Sequence, residues 1–511
     1  MAPNTPTFKP YDQSQLTFLP PSFDDFISED HPVRILNTII DKLDITELNK
    51  AYSCKGRASY HPKMLLKILI YGYLTNTYSS RKMEAACREN IHFMWLSAMN
   101  FPDHNTLNRF RSDRLAEHLR KIFNQIVELL IEQGFISIEN AFIDGTKIEA
   151  NANKFTFVWK KSIGNYKEKM AQQIREIWEF AQSIAKDEDD LPPPPEFKTI
   201  DKESVEQAIQ TLNDVLKENP ETTKKIKGKL KYITEKYPAK IQEYEEKEQI
   251  LAERNSYSKT DQDATFMRMK EDHMQNGMLK PGYNIQIATN NQYILNYTIH
   301  PNPTDTTTLI NHLETFKENL GVLPTTVIAD AGYGSEENYE YLQEQEITAF
   351  VKYNTFEQEQ KNKVNEKKPF TVDTLHYNVE KDCFICPMGQ EMNYIGNSTR
   401  ETKTGFKQNL KRYQATNCNG CPLKAACHKA KGNRIIEINS NLNEHRQKAK
   451  ALLNSKQGIE KRKQRCHDVE TVFGNIKQNH GFRRFMLRGK RKVEIEWGLL
   501  AIAQNIRKRA A

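Results

Sequence analysis

The spacing of apolar residues changes near position 135, and this change narrows the possible folds more than any other feature. Before it, apolar residues recur every three or four positions, as at Leu65, Leu66 and Leu69 and in the run that ends before Gly134. That period is typical of helices. Residues 135–148 (FISIENAFIDGTKI) instead carry β-branched and aromatic residues, which predicts a strand. The chain therefore begins with helices and continues into a domain that contains a sheet.

Strand and helix patterns alternate in the middle of the chain. Residues 282–288 and 293–299 predict a hairpin, residues 306–319 a helix, and residues 325–329 and 347–351 two further short strands. This order predicts an α/β fold with a mixed sheet.

Residues 161–256 interrupt that sheet domain with a far more charged segment. It has 17 basic and 20 acidic residues, and prolines at 192–195 divide it. A narrow apolar seam steps by three and four along Ile226, Leu230, Ile233, Tyr237, Ile241 and Tyr244. The seam predicts an inserted helical hairpin. A charged linker with partial helix is the alternative for residues 186–196.

Two aspartates share the same local setting. Asp144 and Asp330 each follow an apolar strand and precede a glycine-containing turn. Strand ends in an α/β sheet face the ligand crevice. Two carboxylates on neighbouring strands repel each other unless a cation lies between them. Either aspartate taken alone is more often an ordinary turn residue, so the prediction depends on the matched pair.

A third acid, Glu470, lies in a helical pattern that also contains Lys477. The two residues are seven apart and share a helix face. They belong to a basic segment, residues 446–492, with 15 Lys and Arg against 3 Asp and Glu, whereas the whole chain has a net charge of +8. Aromatic residues are interleaved, which favours nucleic-acid binding; a solvated basic face is the alternative.

A shorter basic helix is predicted near the start of the chain. Asp103 can cap a helix that presents Arg109 and Arg111, as in a helix-turn-helix. A plain helical bundle explains the pattern equally well.

Five cysteines are clustered late in the chain. Cys383 and Cys386 form one CxxC pair, Cys418 and Cys421 another, and Cys427 follows. Paired cysteines without a secretory signal indicate a zinc site. We expect Cys383, Cys386, Cys418 and Cys421 to bind zinc. The other set is Cys386, Cys418, Cys421 and Cys427; an iron–sulfur cluster or plain reduced thiols are further alternatives.

Two classes of protein are disfavoured. The most apolar stretch, residues 64–74, is much shorter than the roughly 20 residues of a membrane span, so we expect a soluble protein without a membrane partner. No GxxxxGK[ST] loop is present, which disfavours a P-loop nucleotidase.

Specific sequence blocks carry a family resemblance. They are HPKMLLKILIYGYL, HNTLNRFR, FIDGTKIEANANKFTFVWKKS, GYNIQIATN, IADAGYGS and VETVFGNIKQNHGFRRFMLRGKRKVEIEWGLLAIAQNIRK. In this order they resemble the DDE-class bacterial insertion-sequence transposases that have an N-terminal helical domain and a late cysteine-rich segment. The resemblance implies an RNase H-like core.

The resemblance also implies roles for particular residues. Asp144, Asp330 and Glu470 would be the catalytic acids and would hold Mg²⁺ or Mn²⁺. Related families have a tyrosine and an arginine before the glutamate, where this chain has Lys463 and Cys466. Arg462 or Arg465 is the expected substitute for the arginine. The predicted DNA-binding residues are Lys477, Arg462, Arg465, Arg483, Arg484, Arg488, Arg109 and Arg111.

The predicted organisation has six parts. They are a loose arm (1–20), a helical domain for DNA binding or oligomerisation (21–134), the catalytic core (135–160 and 257–355), the helical insertion (161–256), the cysteine-rich insertion (356–440) and basic helices that complete the core (441–511).

The resemblance implies an enzyme that cleaves and joins double-stranded DNA at the terminal repeats and at a target. It would act as a homodimer on DNA, in the cytoplasm at the nucleoid. The alternatives are a metal-dependent nuclease without joining activity and an inactive DNA-binding relic.

Overall fold

A computed structural model describes residues 22–50, 52, 59–184, 200–217, 222–269, 277–361 and 370–511. The predicted arm at residues 1–20 lies outside these ranges. The chain divides into two compact units, one formed by residues 1–135 and 495–511 and the other by residues 136–494.

The first unit is helical. Its helices are α1 (Pro32–Lys42), α2 (Thr46–Lys50), α3 (Pro62–Leu74), α4 (Ser80–Glu89), α5 (Ile91–Leu96), α6 (His104–Arg109) and α7 (Leu119–Glu132). The apolar positions at helical spacing form its core: Leu65, Leu66 and Leu69 are each at most 1% exposed. The predicted helical domain is therefore observed as a mixed set of short and long helices.

The main sheet belongs to the second unit. Its strands are β1 (Asn140–Glu149), β4 (Thr265–Arg268), β5 (Leu279–Asn290), β6 (Tyr293–His300), β7 (Thr326–Ala329) and β8 (Thr348–Val351), and a separate short pair is β2 (Phe157–Trp159) with β3 (Ser256–Ser258). The order is β4-β5-β1-β7-β8, with β6 also on β5. β5 pairs antiparallel with β1, β4 and β6, and β7 pairs parallel with β1 and β8. The predicted mixed α/β sheet is confirmed.

β1 differs from the prediction in one respect. Asp144 and Gly145 lie inside the strand and not in a turn after it. The reason is the pairing: β1 continues along β5 as far as Glu149, whereas its parallel partner β7 stops at Ala329, opposite Ile143. Asp144 is therefore held by regular strand structure at the point where one neighbouring strand ends.

The described residues of the charged insertion, which exclude 185–199 and 218–221, form three helices and not the predicted two. They are α8 (Lys160–Ile184), α9 (Lys202–Leu216) and α10 (Lys224–Leu251). The seam on α10 is buried at Leu230, Ile233, Tyr237 and Ile241, as predicted. The extra helix forms because Asp201 caps α9 and because α9 contributes its own apolar face to the same core.

Helices α11 (Leu309–Leu320) and α12 (Glu336–Glu344) follow β6 and β7, and α13 (Phe356–Gln360) follows β8. The cysteine-rich segment then forms a second, antiparallel sheet. Its strands are β9 (His376–Asn378), β10 (Cys383–Ile385), β11 (Glu391–Glu401), β12 (Lys407–Ala415) and β13 (Ile435–Ile438), in the order β13-β12-β11-β10-β9, with α14 (Lys424–Cys427) before β13.

The C-terminal helices are α15 (Ser440–Asn454), α16 (Lys456–Arg465), α17 (Thr471–Gly474) and α18 (Lys490–Ala510), and π-helical turns precede and follow α17 (Cys466–Glu470 and Asn475–Asn479). From Ile495 onward α18 belongs to the first unit, although the sequence suggested that the whole C-terminal segment completes the core. Leu499, Leu500 and Ile502 are fully buried, and Arg507 binds the carbonyl of Leu74 at 2.5 Å. The middle of α18 is buried on all sides, and Glu496, Gln504 and Asn505 are buried there together with the apolar residues. None of the helices in the described ranges is both long and apolar enough to cross a membrane.

Stability should depend on pH through a buried histidine at the end of β6. Burial, together with the charge of Lys490, lowers the pKa of His300 from 6.5 to about 4. Between these values the unfolded chain binds a proton that the folded chain does not. The free energy of unfolding should therefore fall by on the order of 3 kcal/mol as the pH drops from 6.5 to 4.

Urea unfolding at pH 7 and pH 4.5 checks this expectation. His300→Gln should show a smaller loss between the two pH values than the wild type, whereas His376→Gln, at an exposed position, should behave like the wild type. An equal loss in all three proteins would contradict the assignment to His300.

Candidate active site

Asp144 is fixed in β1 with its carboxylate divided between two contacts. The backbone N–H of Gly145 donates to Oδ1 at 2.8 Å, and Oδ2 lies 3.2 Å from a terminal nitrogen of Arg465. The side chain is only 8% exposed. The strand thus orients one oxygen of a buried carboxylate toward a cation.

Asp330 repeats this arrangement on the adjacent strand. It follows directly after β7, whose last residue, Ala329, pairs with Ile143. The N–H of Gly332 donates to Oδ1 at 2.8 Å, and Oδ2 lies 3.8 Å from the same nitrogen of Arg465. Each aspartate therefore uses one oxygen for the amide of a nearby glycine and directs the other to Arg465.

Glu470 reaches the site from the helical segment on the other side. It ends the π-helical turn 466–470, and its Oε1 lies 2.9 Å from Arg465. Asp468, two residues earlier, fixes this turn. Its Oδ1 accepts hydrogen bonds from the Thr289 hydroxyl at 2.6 Å and from the backbone N–H of Gln292 at 3.2 Å. Wide π turns of this kind are often found at functional sites.

Arg465 is the centre of the cluster. Its guanidinium contacts all three carboxylates, and its side chain is 8% exposed. Burial alone lowers the pKa of this arginine, but Asp144, Asp330 and Glu470 together raise its pKa above the ordinary value. The structure thus brings the three predicted acids together around one positive charge.

An open cavity of about 320 Å³ adjoins this cluster. Its lining includes the three acids, Arg465 and the residues Gly145, Thr146, Phe473, Gly474, Lys477 and Gln478. Lys477 is 7% exposed, and its ammonium donates to the Lys147 carbonyl at 3.1 Å. Within the described part of the chain, no three Cys, His, Asp or Glu side chains are spaced as in a preformed metal site. Arg465 occupies the region between the carboxylates.

Arg462, by contrast, lies away from the acids, 5.1 Å above the ring of Phe356. Of the two arginines proposed from sequence, Arg462 and Arg465, it is therefore Arg465 that contacts the acids.

The remaining predicted DNA-binding arginines fall into two groups. Arg483, Arg484 and Arg488 are exposed and donate to backbone carbonyls of Lys477, Ala150 and Asn151 respectively. In the N-terminal unit Arg109 is exposed.

Arg111 is 5% exposed, so the expectation that α6 presents it is wrong. The chain enters a π-helical turn at Phe110, which rotates Arg111 inward, where it bonds Asn108 at 2.8 Å.

Sequence reasoning missed a polar group on the opposite face of the strands. The group consists of three fully buried residues, Asn284 and Gln286 of β5 and Tyr333 after β7. The side-chain amides of Asn284 and Gln286 both donate to Asp305. The available signal was the alternation Asn284-Ile285-Gln286, which places two amides on one face of a buried strand.

The cysteines gather at a second, smaller cavity. Cys386, Cys418, Cys421 and Cys427 line it together with His428 and Arg434, whereas Cys383 is buried in β10 and is not part of the lining. Backbone amides donate to two of the sulfur atoms, from Gln390 to Cys386 and from Arg434 to Cys418, both at 3.4 Å.

Two family models match the chain. One, described as a transposase DDE domain, matches residues 385–510, and one described as a transposase domain (DUF772) matches residues 21–113. No curated protein and no solved structure matches significantly. The first match includes Glu470 and Lys477; neither includes Asp144 or Asp330. Both models describe transposase domains, and together they support an insertion-sequence DDE transposase.

Proposed function

We propose that this chain cleaves and joins DNA strands at the ends of an insertion sequence, with Asp144, Asp330 and Glu470 as its catalytic triad. The observation that carries the proposal is the convergence of these three carboxylates on one guanidinium beside an open cavity. They come from a central strand, a strand end and a π-helical turn, separated by 186 and 140 positions along the chain. A cluster of three carboxylates around a single buried cation, in which the acids outnumber the positive charge, is typical of functional sites.

The donor set suits a divalent metal ion. Three carboxylates supply the oxygen ligands that Mg²⁺ and Mn²⁺ prefer, and few protein ligands are needed because water completes the coordination. The region between them already stabilises positive charge, that of Arg465. We propose that Asp144, Asp330 and Glu470 hold Mg²⁺ or Mn²⁺. A metal held there would supply activation of the attacking water or 3′ hydroxyl and stabilisation of the charge on the phosphate.

The protein's own cations would position the DNA. Arg465 and Lys477 line the cavity on either side of Glu470 and can pair with phosphate oxygens near the scissile bond. Arg483, Arg484 and Arg488 are exposed. Arg484 and Arg488 donate to protein carbonyls just after β1, and all three arginines can pair with phosphates of the bound DNA. Arg465 would then serve as the arginine that related families place closer to the glutamate.

The sheet supports an RNase H-like core. The order β6-β5-β1-β7-β8 joins three antiparallel strands to two parallel ones. Asp144 lies in β1, and Asp330 directly follows the adjacent strand β7. We propose that the helical insertion and the cysteine-rich sheet are additions to this core, and that the N-terminal unit binds element ends or a partner subunit. Joining two ends requires two active sites, so we propose a homodimer on DNA, acting at the nucleoid.

Substitution of single acids should separate cleavage from binding. Asp330→Asn and Glu470→Gln keep side-chain shape but remove charge, so strand cleavage with Mg²⁺ should fall by at least about 10³-fold. Binding to element ends should stay within about threefold, because the basic residues are intact. Gel-based cleavage and mobility-shift assays on the terminal repeats measure both.

Glu460→Gln is the matched control, because Glu460 is exposed on α16; it should cleave normally. Full cleavage by Asp330→Asn or Glu470→Gln would refute the triad. A labelled 3′-OH end with target DNA identifies the reaction: a joined product supports a transposase, and hydrolysis alone supports the nuclease alternative. If the wild type shows neither cleavage nor joining with Mg²⁺, the result supports the inactive DNA-binding relic.

Removal of Arg465 should destabilise the metal-free protein. Arg465→Met leaves three carboxylates without their shared cation. We expect a loss of about 2–3 kcal/mol at neutral pH, below the usual cost of breaking a fully buried pair because Asp330 and Glu470 are partly exposed.

Urea unfolding of Arg465→Met against Arg462→Met tests this expectation. Arg462 contacts the Phe356 ring and lies away from the acids, so its replacement controls for loss of a long basic side chain from the same helix. Equal stability of the two variants at neutral pH would show that Arg465 does not balance the acids.

We also propose that the cysteine cavity binds zinc through Cys386, Cys418, Cys421 and Cys427, the second of the two sets considered from sequence. All four line one cavity, and amide donors already face two of the sulfur atoms. Tetrahedral ligation by four cysteine thiolates is typical of structural zinc. The sulfur atoms would have to move together on binding, since they are not spaced as a preformed site in the described chain.

Metal analysis of purified protein distinguishes the two sets. The wild type should contain about one zinc per chain. Cys421→Ser and Cys427→Ser should lose it, whereas Cys383→Ser should retain it. Retention by Cys427→Ser with loss by Cys383→Ser would restore the first set, iron in place of zinc would indicate a cluster, and absence of both metals would end the proposal.

A further inference from the structure

A fourth carboxylate lies behind the triad, on the opposite face of the sheet. Asp305 begins a short 3₁₀ turn, Asp305–Thr307, after β6. Its Oδ1 accepts hydrogen bonds from the side-chain amides of Asn284 and Gln286, both at 2.8 Å. Both amides are fully buried on β5. The carboxylate is thus fixed by two rigid donors and does not line the catalytic cavity.

Tyr333 fixes the orientation of one of these amides. Its hydroxyl donates to the Gln286 carbonyl oxygen, which turns the amide nitrogen toward Asp305. Burial, followed by the charges of Asp305, Asp144 and Asp330, raises the pKa of Tyr333 well above its ordinary value. The hydroxyl therefore remains a donor, and the chain Tyr333–Gln286–Asp305 has a fixed direction.

Asp305 packs against the glycine that anchors Asp144. Gly145 follows Asp144 in the strand, so the two residues face opposite sides of the sheet. A methyl group on Gly145 would lie 2.5 Å from Asp305 Oδ1 and would also collide with the Gln286 amide. Only glycine allows this approach, and its N–H is the group that holds Asp144 Oδ1.

Asp305 also lies beside the glycine that anchors Asp330. A methyl group on Gly332 would be 3.4 Å from Asp305 Oδ2. The neighbouring Thr306 donates to the Gly332 carbonyl at 2.9 Å, and Asn338 donates to the carbonyls of Thr306 and Tyr333 at 2.9 and 2.8 Å. The turn that carries Asp305 is therefore bound to the turn that carries Asp330.

We infer that Asp305 is a positioning residue for both aspartates of the proposed triad. Its carboxylate lies where a side chain on either glycine would be, 2.5 Å from a Cβ on Gly145 and 3.4 Å from one on Gly332, and the amides of these glycines orient Asp144 and Asp330. An effect of Asp305 on catalysis rests on the proposed function, in which Asp144 and Asp330 are catalytic residues. Residues that orient metal-binding carboxylates often affect metal affinity by 10–100-fold, about as strongly as ligands do.

Hydrogen exchange at the two glycines tests the placement without metal or DNA. In Asp305→Ala the amides of Gly145 and Gly332 should exchange about tenfold faster or more, because the support behind β1 at Gly145 and behind the turn at Gly332 is lost. Asp305→Asn should protect them as the wild type does, since its carbonyl oxygen can accept the same two hydrogen bonds. Mass spectrometry with fragmentation to single residues measures both sites in the full chain.

Asp201→Ala is the matched control. Asp201 Oδ1 also accepts two hydrogen bonds, from the backbone and hydroxyl of Ser204, but it caps α9 in the insertion. It should leave exchange at Gly145 and Gly332 unchanged. Unchanged exchange in Asp305→Ala, or the same increase in Asp201→Ala, would overturn the inference.

The Mg²⁺ dependence of cleavage then distinguishes positioning from general stability. Asp305→Ala should raise the Mg²⁺ concentration for half-maximal cleavage by about tenfold or more, and Asp305→Asn should restore it. A lower maximal rate with an unchanged Mg²⁺ requirement would contradict positioning of the metal-binding acids. If exchange changes as expected but the wild type never cleaves DNA, the proposed function fails while the structural role of Asp305 stands.

Discussion

The candidate active site depends on one guanidinium, that of Arg465, between three carboxylates. Two unit charges 4 Å apart interact by roughly 4 kcal/mol at the effective dielectric of a protein surface, and by more when buried. Asp144 and Asp330 on adjacent strands would therefore repel each other strongly without a cation. Arg465, buried and in contact with both and with Glu470, allows the metal-free chain to fold with its acids already together.

The three acids are held to different degrees, and this suits their proposed roles. Asp144 and Asp330 have one oxygen each tied to a glycine amide, and Asp305 supports both glycines from behind. Glu470 is half exposed and comes from a π-helical turn that is fixed to the sheet mainly through Asp468. A rigid pair with a more adjustable third ligand can accept metal and DNA without refolding the sheet.

Local patterns in the sequence predicted the local structure well. The hairpin of β5 and β6, the buried seam of α10 and the strand before Asp330 follow from hydrophobic period and turn residues, which act over a few positions. The π turn that buries Arg111, the third helix of the insertion and the position of Asp144 inside β1 depend on tertiary packing. The contacts of Arg465 with Asp144 and of Asp305 with Gln286 join residues 321 and 19 positions apart, and patterns that act over a few positions cannot show which of these residues meet.

In the proposed cation site of the three acids, Arg465 holds the place of a metal. Anomalous diffraction from crystals of the full chain soaked in Mn²⁺ shows whether a metal can take that place. We expect manganese bound by Asp144, Asp330 and Glu470, with the Arg465 guanidinium displaced from between them. Manganese bound elsewhere, with the three carboxylates still on Arg465, would contradict it.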